Sequence, residues 1–223
     1  MLQKLNHYSI EEVVETYDIN LIKNCKNLDE WVGTPVGVLS DFHLQTLSEL
    51  PDEYLENAMG WNEEELKMFF ISPIFRVANV NEKGKIRTFF ERPLSGKVNG
   101  ILISVIVDCM VATPTKASRP ASPYFFLQDG SPMRFKRSKG DSHDPEGQML
   151  AAMILAQELN HDGRPLYGCW LQSKNWYFTV LNGVEYCVSR QYDATQKADL
   201  LQIVFILRKL KELILGRTVR IGE

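Results

Sequence analysis

One stretch of the chain constrains the fold more than any other, because residues 101–112 are almost continuously apolar and rich in β-branched side chains. A strand that is covered on both faces of a sheet has this composition. Asp108 interrupts the run. An ionised carboxylate in such surroundings requires a cation, a metal ion or several hydrogen-bond donors, since otherwise its pKa rises until it is neutral. The alternative interpretation is that Asp108 ends the strand and caps a turn.

The residues that follow predict a second strand and then a basic segment. Residues 123–128 have the composition of a strand, and the Asp-Gly-Ser-Pro sequence at 129–132 is typical of a turn, so the strand ends there or bulges before it resumes at residue 134. Four cations come next, namely Arg134, Lys136, Arg137 and Lys139. They form either a solvated loop or a phosphate-binding segment, because loops at the ends of central strands carry the ligand sites of α/β folds.

Residues 144–160 carry the clearest helix signal in the chain. Asp144 is a good N-cap residue, Pro145 suits the first helical position, and Glu146 favours the positive end of the helix dipole. Gln148 lies in the first turn, where free backbone N–H groups favour anions. A Gln on a helix surface is otherwise inert, so only its position makes Gln148 a candidate.

These residues resemble the PD-(D/E)XK nuclease superfamily, whose core carries a Glu on a helix, an Asp on a strand, a Glu-x-Lys pair on the next strand and often a Gln on the following helix. From about residue 61 to residue 214 the chain is similar to a family of small, uncharacterised bacterial PD-(D/E)XK-like proteins. The similar phrases are at 61–67, 90–96, 123–128, 147–152 and 189–194. The resemblance implies an α/β fold with a mixed central β-sheet flanked by helices, over residues 58–223, and an acidic helical N-terminal extension over residues 1–57.

The resemblance also implies roles for individual residues. Asp108 corresponds to the strand acid, Lys136 to the lysine and Gln148 to the helix glutamine. Either Glu64 or Glu65 corresponds to the carboxylate of the first helix. The alternative for the three consecutive glutamates at 63–65 is that they only complement the helix dipole.

The chain departs from the family pattern at Arg134, which stands two residues before the lysine, where the pattern has a Glu. Asp129 is the nearest acid, and Glu91 on the strand predicted at 86–92 is the reserve metal ligand. Either a turn brings Asp129 back to the metal, or the second carboxylate is missing and catalysis is impaired.

The resemblance therefore implies hydrolysis of phosphodiester bonds in DNA or RNA with Mg²⁺ or Mn²⁺. Mg²⁺ prefers oxygen ligands, and one or two protein carboxylates plus a substrate phosphate are sufficient. The second candidate is a catalytically inactive relative that binds nucleic acid or a protein partner through Arg134, Arg137 and Lys139. The sequence leaves the oligomeric state open, a homodimer included.

The charge is distributed unevenly along the chain. Residues 1–66 carry 14 acids and 3 bases, for a net charge of -11, whereas residues 67–223 carry 22 bases and 14 acids, for a net charge of +8. The basic core predicts a polyanion-binding surface. The acidic N-terminal region either masks this surface or only supplies surface charge that keeps the chain soluble.

Several classes of protein are not favoured by the sequence. No apolar run approaches the roughly 18 residues of a membrane span, and no apolar signal segment begins the sequence, so we expect a cytoplasmic protein. The four cysteines are not arranged as a zinc site, and we expect them to be reduced residues of the core. There is no phosphate-binding loop and no dinucleotide fingerprint, which argues against a nucleotide cofactor.

The remaining pattern predicts the elements around the core. Ser9 begins a short helix, residues 41–57 form one or two helices with Phe42 and Leu44 inward, and Asn62 caps another helix. Strands at 86–92 and 98–112 form a hairpin around residues 93–97. Three further strands (166–172, 176–181 and 184–189) and a helix (198–215) complete the mixed sheet.

Overall fold

The computed structural model describes residues 8–33, 37–131 and 144–218, without the side chains of residues 125–131, 217 and 218. These residues form a mixed β-sheet flanked by helices, which confirms the predicted α/β class. The predicted basic residues Arg134, Lys136, Arg137 and Lys139 lie outside the described residues.

Most of the described helices precede the long strands, and the last two follow later in the chain. The helices are α1 (Ile10–Tyr17), α2 (Lys26–Val32), α3 (Asp41–Asn57), α4 (Glu63–Leu66), α5 (Ser72–Ala78), α6 (Pro145–Asn160) and α7 (Lys197–Thr218). The strands are β1 (Asn20–Leu21), β2 (Arg87–Val98), β3 (Ile101–Pro114), β4 (Pro120–Ser131), β5 (Leu166–Gln172), β6 (Asn175–Asn182), β7 (Glu185–Val188) and β8 (Tyr192–Asp193). A π-helical turn (Lys67–Ile71) joins α4 to α5.

The described strands form one sheet in the order β1-β7-β6-β5-β4-β3-β2, and β8 adds to β6. Strands β2, β3 and β4 are antiparallel neighbours, whereas β4 and β5 are parallel. Parallel neighbours need a long crossover connection, and α6 lies in the connection between these two strands. The sheet is therefore mixed, with β2 at one edge.

Two hydrophobic layers cover the two faces of the sheet. The layer that contains α6 and α1 buries Met149, Leu150 and Met153 completely. The opposite layer contains α2, α5 and α7, and it buries Trp31 and Phe70 completely. Because α6 is covered by α1 on its outer side and by the sheet on its inner side, its apolar residues occupy most of its circumference.

The first hairpin differs from the prediction. The turn expected at residues 93–97 is wrong, because β2 continues through these residues and pairs with β3 as far as Val98. The turn is instead formed by Asn99 and Gly100, which both have positive φ, at 50° and 81°. This is the two-residue arrangement that Asn-Gly favours. Pro93 is tolerated within the strand because β2 lies at the edge of the sheet.

The second strand also extends further than predicted. Residues 129–131 form no turn, because β4 continues to Ser131 and pairs there with Gln172 of β5. A parallel neighbour supplies hydrogen-bond partners for the backbone of this segment, and this support outweighs the turn preference of Asp-Gly. The predicted resumption of the strand at Arg134 lies outside the described residues.

Helix starts were predicted correctly from their capping residues. The hydroxyl of Ser9 accepts the backbone N–H of Glu12, and the carboxylate of Asp144 accepts the N–H of Gly147. Asn62 forms a capping box with Glu65. The strands predicted at 166–189 and the helix predicted at 198–215 are also present, as β5, β6, β7 and α7.

The prediction that Phe42 and Leu44 point inward is wrong. Helix α3 buries Leu47 and Leu50, whereas 75% of Phe42 and 42% of Leu44 are exposed. Positions 47 and 50 share a face at helical spacing, and position 42 lies away from that face. The first turn of α3 therefore presents an apolar side chain outward.

The residues predicted as an N-terminal extension take part in the same hydrophobic layers as the remainder of the chain. Val13 of α1 belongs to the α6 layer, and Trp31 of α2 belongs to the opposite layer. Strand β1 pairs with β7, through Asn20 and Glu185. The domain boundary at residue 57 and the masking role of the acidic segment remain predictions.

In the described part of the chain, no helix combines the length and apolar composition that crossing a membrane requires. All four cysteines are free and buried, as predicted.

Candidate functional site

A lysine surrounded by carboxylates marks the most unusual polar site of the described structure. The Nζ atom of Lys67 lies 2.7 Å from Oε1 of Glu91 and 3.0 Å from Oδ1 of Asp108. It also lies 3.0 Å from Oε1 of Glu63 and 4.0 Å from Oε1 of Glu64. We call these five residues the Lys67 cluster. Four acids and one base give the cluster a formal charge of -3.

The helix that carries Lys67 has an unusual geometry at this residue. The N–H of Ser72 bonds to the carbonyl of Lys67, which closes a π-helical turn. Pro73 follows directly, and a proline has no N–H for the carbonyl four residues earlier and its ring collides with that carbonyl. A widened turn relieves this collision. Such π turns occur frequently at functional sites.

Glu91 on β2 lies opposite Asp108 on β3. The neighbouring pairs fix this register, namely Phe90 with Cys109 and Arg92 with Val107. Glu91 has a φ of 50°, within the left-handed region that a residue with a side chain rarely adopts. Residues held in this region cost about 1–3 kcal/mol and cluster at functional sites.

In both β2 and β3, the alternation of side chains between the two faces of the sheet is interrupted near Glu91 and Asp108. Val107 and Met110 of β3 are three positions apart, yet both belong to the α6 layer. Phe89 and Leu94 of β2 are five positions apart and both belong to that layer as well. An undistorted strand turns residues with odd separations to opposite faces. The distortion therefore interrupts the alternation where Glu91 and Asp108 contact Lys67.

The surroundings determine the charge state of the Lys67 cluster. Burial alone would lower the pKa of Lys67, but its hydrogen bond to Glu91 and the charge of Asp108 more than offset burial, so the pKa lies well above its usual value. Burial, reinforced by the charge of Asp108, raises the pKa of the adjacent Cys109 thiol. Lys67 is thus a permanent cation, and Cys109 is a neutral thiol rather than a nucleophile.

The acids differ in how far they are removed from water. The side chain of Asp108 is 12% exposed, whereas Glu63 and Glu91 are 39% and 53% exposed. The cluster therefore has a buried end at Asp108 and a solvent-accessible end formed by the glutamates. A charged ligand can approach from the glutamate side.

Asp129 lies on the strand next to Asp108. The last paired residues of β3 and β4 toward Asp108 are Cys109 and Gln128. Asp108 and Asp129 lie directly beyond this pair on the two strands, and Asp129 pairs with Trp170 of β5. Asp129 therefore belongs to β4 itself and not to a turn that follows it.

The other predicted site residues have different positions. Glu65 is engaged at the start of α4, where its carboxylate accepts the backbone N–H of Asn62 at 2.7 Å. Glu64 is 81% exposed and lies at the margin of the Lys67 cluster. Gln148 is half-buried in the first turn of α6. Lys136 lies outside the described residues.

Sequence reasoning missed Lys67 and Glu63 as members of the site. Their separation of four residues, on a helix capped by Asn62, allows an ion pair on one helix face and was the available signal. That signal is common on solvated helices, and nothing in the pattern connects this helix face to Asp108.

The donor atoms of the Lys67 cluster are suited to a hard cation, since carboxylate oxygens are the ligands that Mg²⁺ and Mn²⁺ prefer. Within the described ranges, no three His, Cys, Asp or Glu side chains converge closely enough to hold one metal ion in the present arrangement. The ammonium of Lys67 lies among the carboxylates instead.

Neither a family model nor a curated protein matches the chain.

Proposed function

We propose that the chain is a metal-dependent nuclease of PD-(D/E)XK type, which hydrolyses phosphodiester bonds in DNA or RNA. The observation that carries this proposal is the meeting of Glu91, Asp108 and the helix glutamate Glu63 at Lys67, where both strands change face. A site that combines a π turn with a strained backbone residue is unusual for purely structural ion pairs.

The order of the elements supports the family assignment. A helix with glutamates is followed by a strand with Asp108, a strand with Asp129 and a helix with Gln148 in its first turn. This is the order that the resemblance implies. Asp129 as the second carboxylate is supported by its position on β4, one residue beyond Gln128, which pairs with Cys109 next to Asp108.

Two residues after Asp129, where the family pattern has a lysine, the chain has Ser131. The positive charge beside Asp108 comes instead from Lys67 on the helix. We therefore assign to Lys67 the charge-stabilising role that the resemblance gives to Lys136. Binding by an ammonium of a phosphate oxygen offsets the negative charge that develops during hydrolysis.

Asp108, Glu91 and Asp129 are the residues that would hold Mg²⁺ or Mn²⁺. When bound, such an ion supplies a water of lowered pKa and stabilises charge on the phosphate. Asp108 is the buried anchor of this set, while Glu91 and Glu63 lie toward solvent. Lys67 contacts Glu63, Glu91 and Asp108 and keeps a cation beside Asp108.

The experiment is a cleavage assay on labelled single- and double-stranded DNA and RNA with Mg²⁺, Mn²⁺ or EDTA. We expect metal-dependent cleavage that falls at least about a hundredfold in Asp108→Asn, since removal of one group that stabilises transition-state charge costs about 10²–10³ in rate. Asp162→Asn is the matched control, because Asp162 lies beyond the end of α6 and is paired with Arg164. Absence of cleavage of all four substrates with either metal contradicts the proposal.

A second candidate is a catalytically inactive protein that binds nucleic acid or a protein partner. The ion pairs of Lys67 favour it, because an ammonium among the carboxylates already supplies the compensating charge. This candidate predicts shifted electrophoretic bands without cleavage, a steep dependence on salt and no effect of Mn²⁺. Calorimetric titration with Mn²⁺ separates the two candidates, since only the nuclease predicts a binding signal that Asp108→Asn abolishes.

A further inference from the structure

A second candidate site lies beside the π turn that contains Lys67 and the helix α5 that follows it. A cavity of about 590 Å³ is enclosed by residues of α3, the π turn, α5 and α7. Phe42, Met68 and Val77 contribute apolar surface to it, while His43, Arg76 and Arg208 contribute nitrogen atoms. The volume falls in the range of about 300–1,000 Å³ that is usual for pockets that bind small molecules.

The charge of this cavity is positive. Two arginines line it, and none of its lining residues, all of which are described, is an Asp or Glu. Arg208 is fixed in place by hydrogen bonds from Nη1 to the carbonyl of Val38 and from Nη2 to the carbonyl of Val77, at 2.9 and 3.1 Å. These carbonyls are neutral, so the charge of the guanidinium has no counter-ion there. Burial lowers the pKa of Arg208, which reflects this uncompensated desolvation.

The second arginine of the cavity also lacks a counter-ion. Arg76 is exposed and forms no ion pair within the described residues, although it lies in the last turn of α5. An anion that enters the cavity can therefore contact two guanidinium groups that no carboxylate neutralises within the described part of the chain.

The apolar side of the cavity is incompletely covered. Phe42 is 75% exposed and Met68 is 67% exposed, although both line the cavity. Burial of apolar surface is favourable by about 25 cal/mol per Å², so a ligand that covers these two side chains gains affinity from contact with them. A bare inorganic anion would leave them in water.

We propose that this cavity binds a small organic anion in which a carboxylate or phosphate group is attached to an aromatic or aliphatic body. The anionic group contacts Arg76 and Arg208, and the body packs on Phe42 and Met68. The site is separate from the Lys67 cluster in its chemistry, because the cluster attracts cations and the cavity attracts anions.

The test is fluorescence titration of the full chain with 8-anilinonaphthalene-1-sulfonate, an aromatic sulfonate, followed by displacement of this probe. We expect saturable binding with one probe per chain. Phenyl phosphate and octanoate should displace the probe, and their relative potency distinguishes a phosphate ligand from a carboxylate ligand. Benzyl alcohol and inorganic phosphate, which each lack one half of the proposed ligand, should displace it at least tenfold less effectively.

Two variants connect the binding to the cavity. Arg76→Gln should weaken probe binding about tenfold or more, because a hydrogen bond to a charged group is lost. Phe42→Ala should also weaken it, through the lost apolar contact. Both side chains are exposed, so these variants should fold normally. Arg164→Gln, an arginine outside the cavity that pairs with Asp162, is the matched control.

Binding that is not saturable, or that benzyl alcohol displaces as well as phenyl phosphate does, overturns the proposal. So does affinity that is the same in the wild type, Arg76→Gln and Phe42→Ala. These outcomes are independent of nuclease activity, since the readout requires neither metal nor nucleic acid.

Discussion

Replacement of Lys67 by Met removes the one cation of the Lys67 cluster and preserves most of the volume of the side chain. The ammonium contacts three carboxylate oxygens at 2.7–3.0 Å. Glu91 and Glu63 are substantially exposed, so each of these pairs contributes only about 0.5 kcal/mol. Asp108 is largely buried, and its hydrogen bond to a charged donor contributes about 1.5–3 kcal/mol. We expect Lys67→Met to lower the free energy of unfolding by about 2.5–4 kcal/mol at neutral pH.

The assay is urea unfolding of the metal-free protein, with thermal unfolding as a second measurement. In a chain of this length, the expected loss corresponds to a fall in Tm of roughly 5–16 °C. Lys209→Met is the matched control, because Lys209 is similarly exposed but pairs only with Glu212 among the described residues. We expect the control to change the stability by less than about 1 kcal/mol.

Divalent cations should reverse the effect of Lys67→Met. Without the ammonium, the remaining carboxylates carry a formal charge of -4 and attract Mg²⁺ more strongly than those of the wild type. If the variant binds Mg²⁺ with a Kd of about 0.1 mM, then 10 mM Mg²⁺ restores about 2.7 kcal/mol. The control variant should not respond.

The dependence of the free energy of unfolding on alkaline pH tests whether the positive charge of Lys67 stabilises the folded protein. The pKa of Lys67 is raised by folding, so its contribution to stability is complete below its ordinary pKa of 10.5 and declines as the pH rises above that value. The stability difference between the wild type and Lys67→Met should therefore shrink above pH 10.5. A variant that is as stable as the wild type at neutral pH refutes the charge reasoning. A loss that Mg²⁺ does not reduce refutes the claim that these carboxylates accept a divalent cation.

Two further predictions concern the start of α6. In Gly147→Ala the added Cβ would lie 2.1 Å from the carbonyl oxygen of Tyr8, so α1 must move, and we expect a loss of about 1–3 kcal/mol in urea unfolding. In Gly216→Ala of α7 the added Cβ meets no atom of the described residues within 4 Å, so this variant should be neutral or stabilising by up to about 1 kcal/mol, and equal effects of the two variants would contradict the packing of α1 on α6. Burial, reinforced by the charge of Asp144, raises the pKa of Glu146 above its ordinary 4.5, so ionisation of Glu146 opposes folding. The stability of Glu146→Gln relative to the wild type should thus increase between pH 4 and pH 8, by no more than about 1 kcal/mol because the carboxyl is only half-buried, and a constant difference would exclude this cause.

The sequence predicts Asp108 as a site residue for a physical reason that the structure retains. A carboxylate within an apolar strand needs compensation, and Lys67 supplies it. The identity of that cation could not be predicted, because the contact joins residues 41 positions apart. Local patterns report on neighbours along the chain, whereas this ion pair depends on how a helix is placed against a sheet.

The hairpin turns show a second limit of prediction from the sequence. Both Asn-Gly dipeptides of the chain, at 99–100 and 182–183, lie at hairpin turns, and the second lies between the strands predicted at 176–181 and 184–189. The dipeptide at 99–100 was obscured by Pro93 and Gly96, which suggest a turn a few residues earlier. These two residues are accommodated in β2 because it is an edge strand and because Leu155 of α6 approaches Gly96 closely.

The apolar surface of α3 marks a third limit. Helical periodicity correctly selects Leu47 and Leu50 as core residues, but it does not show which of the other apolar residues of α3 lie away from the core. Phe42 lies away from the face of Leu47 and Leu50 and lines the cavity beside α5 instead. Apolar residues that serve a binding surface carry the same pattern as those that serve the core.

The attachment of the first two helices has a consequence for synthesis of the chain on the ribosome. The N–H of Ile10 bonds to the carboxylate of Asp144, and the indole N–H of Trp31 bonds to the carbonyl of Ile206, across 134 and 175 residues. The segment at residues 10–31 therefore meets these partners only after residues 144 and 206 have left the exit tunnel. Until then its apolar side chains are unprotected, and nascent chains stalled before residue 206 should require chaperones more than the completed protein does.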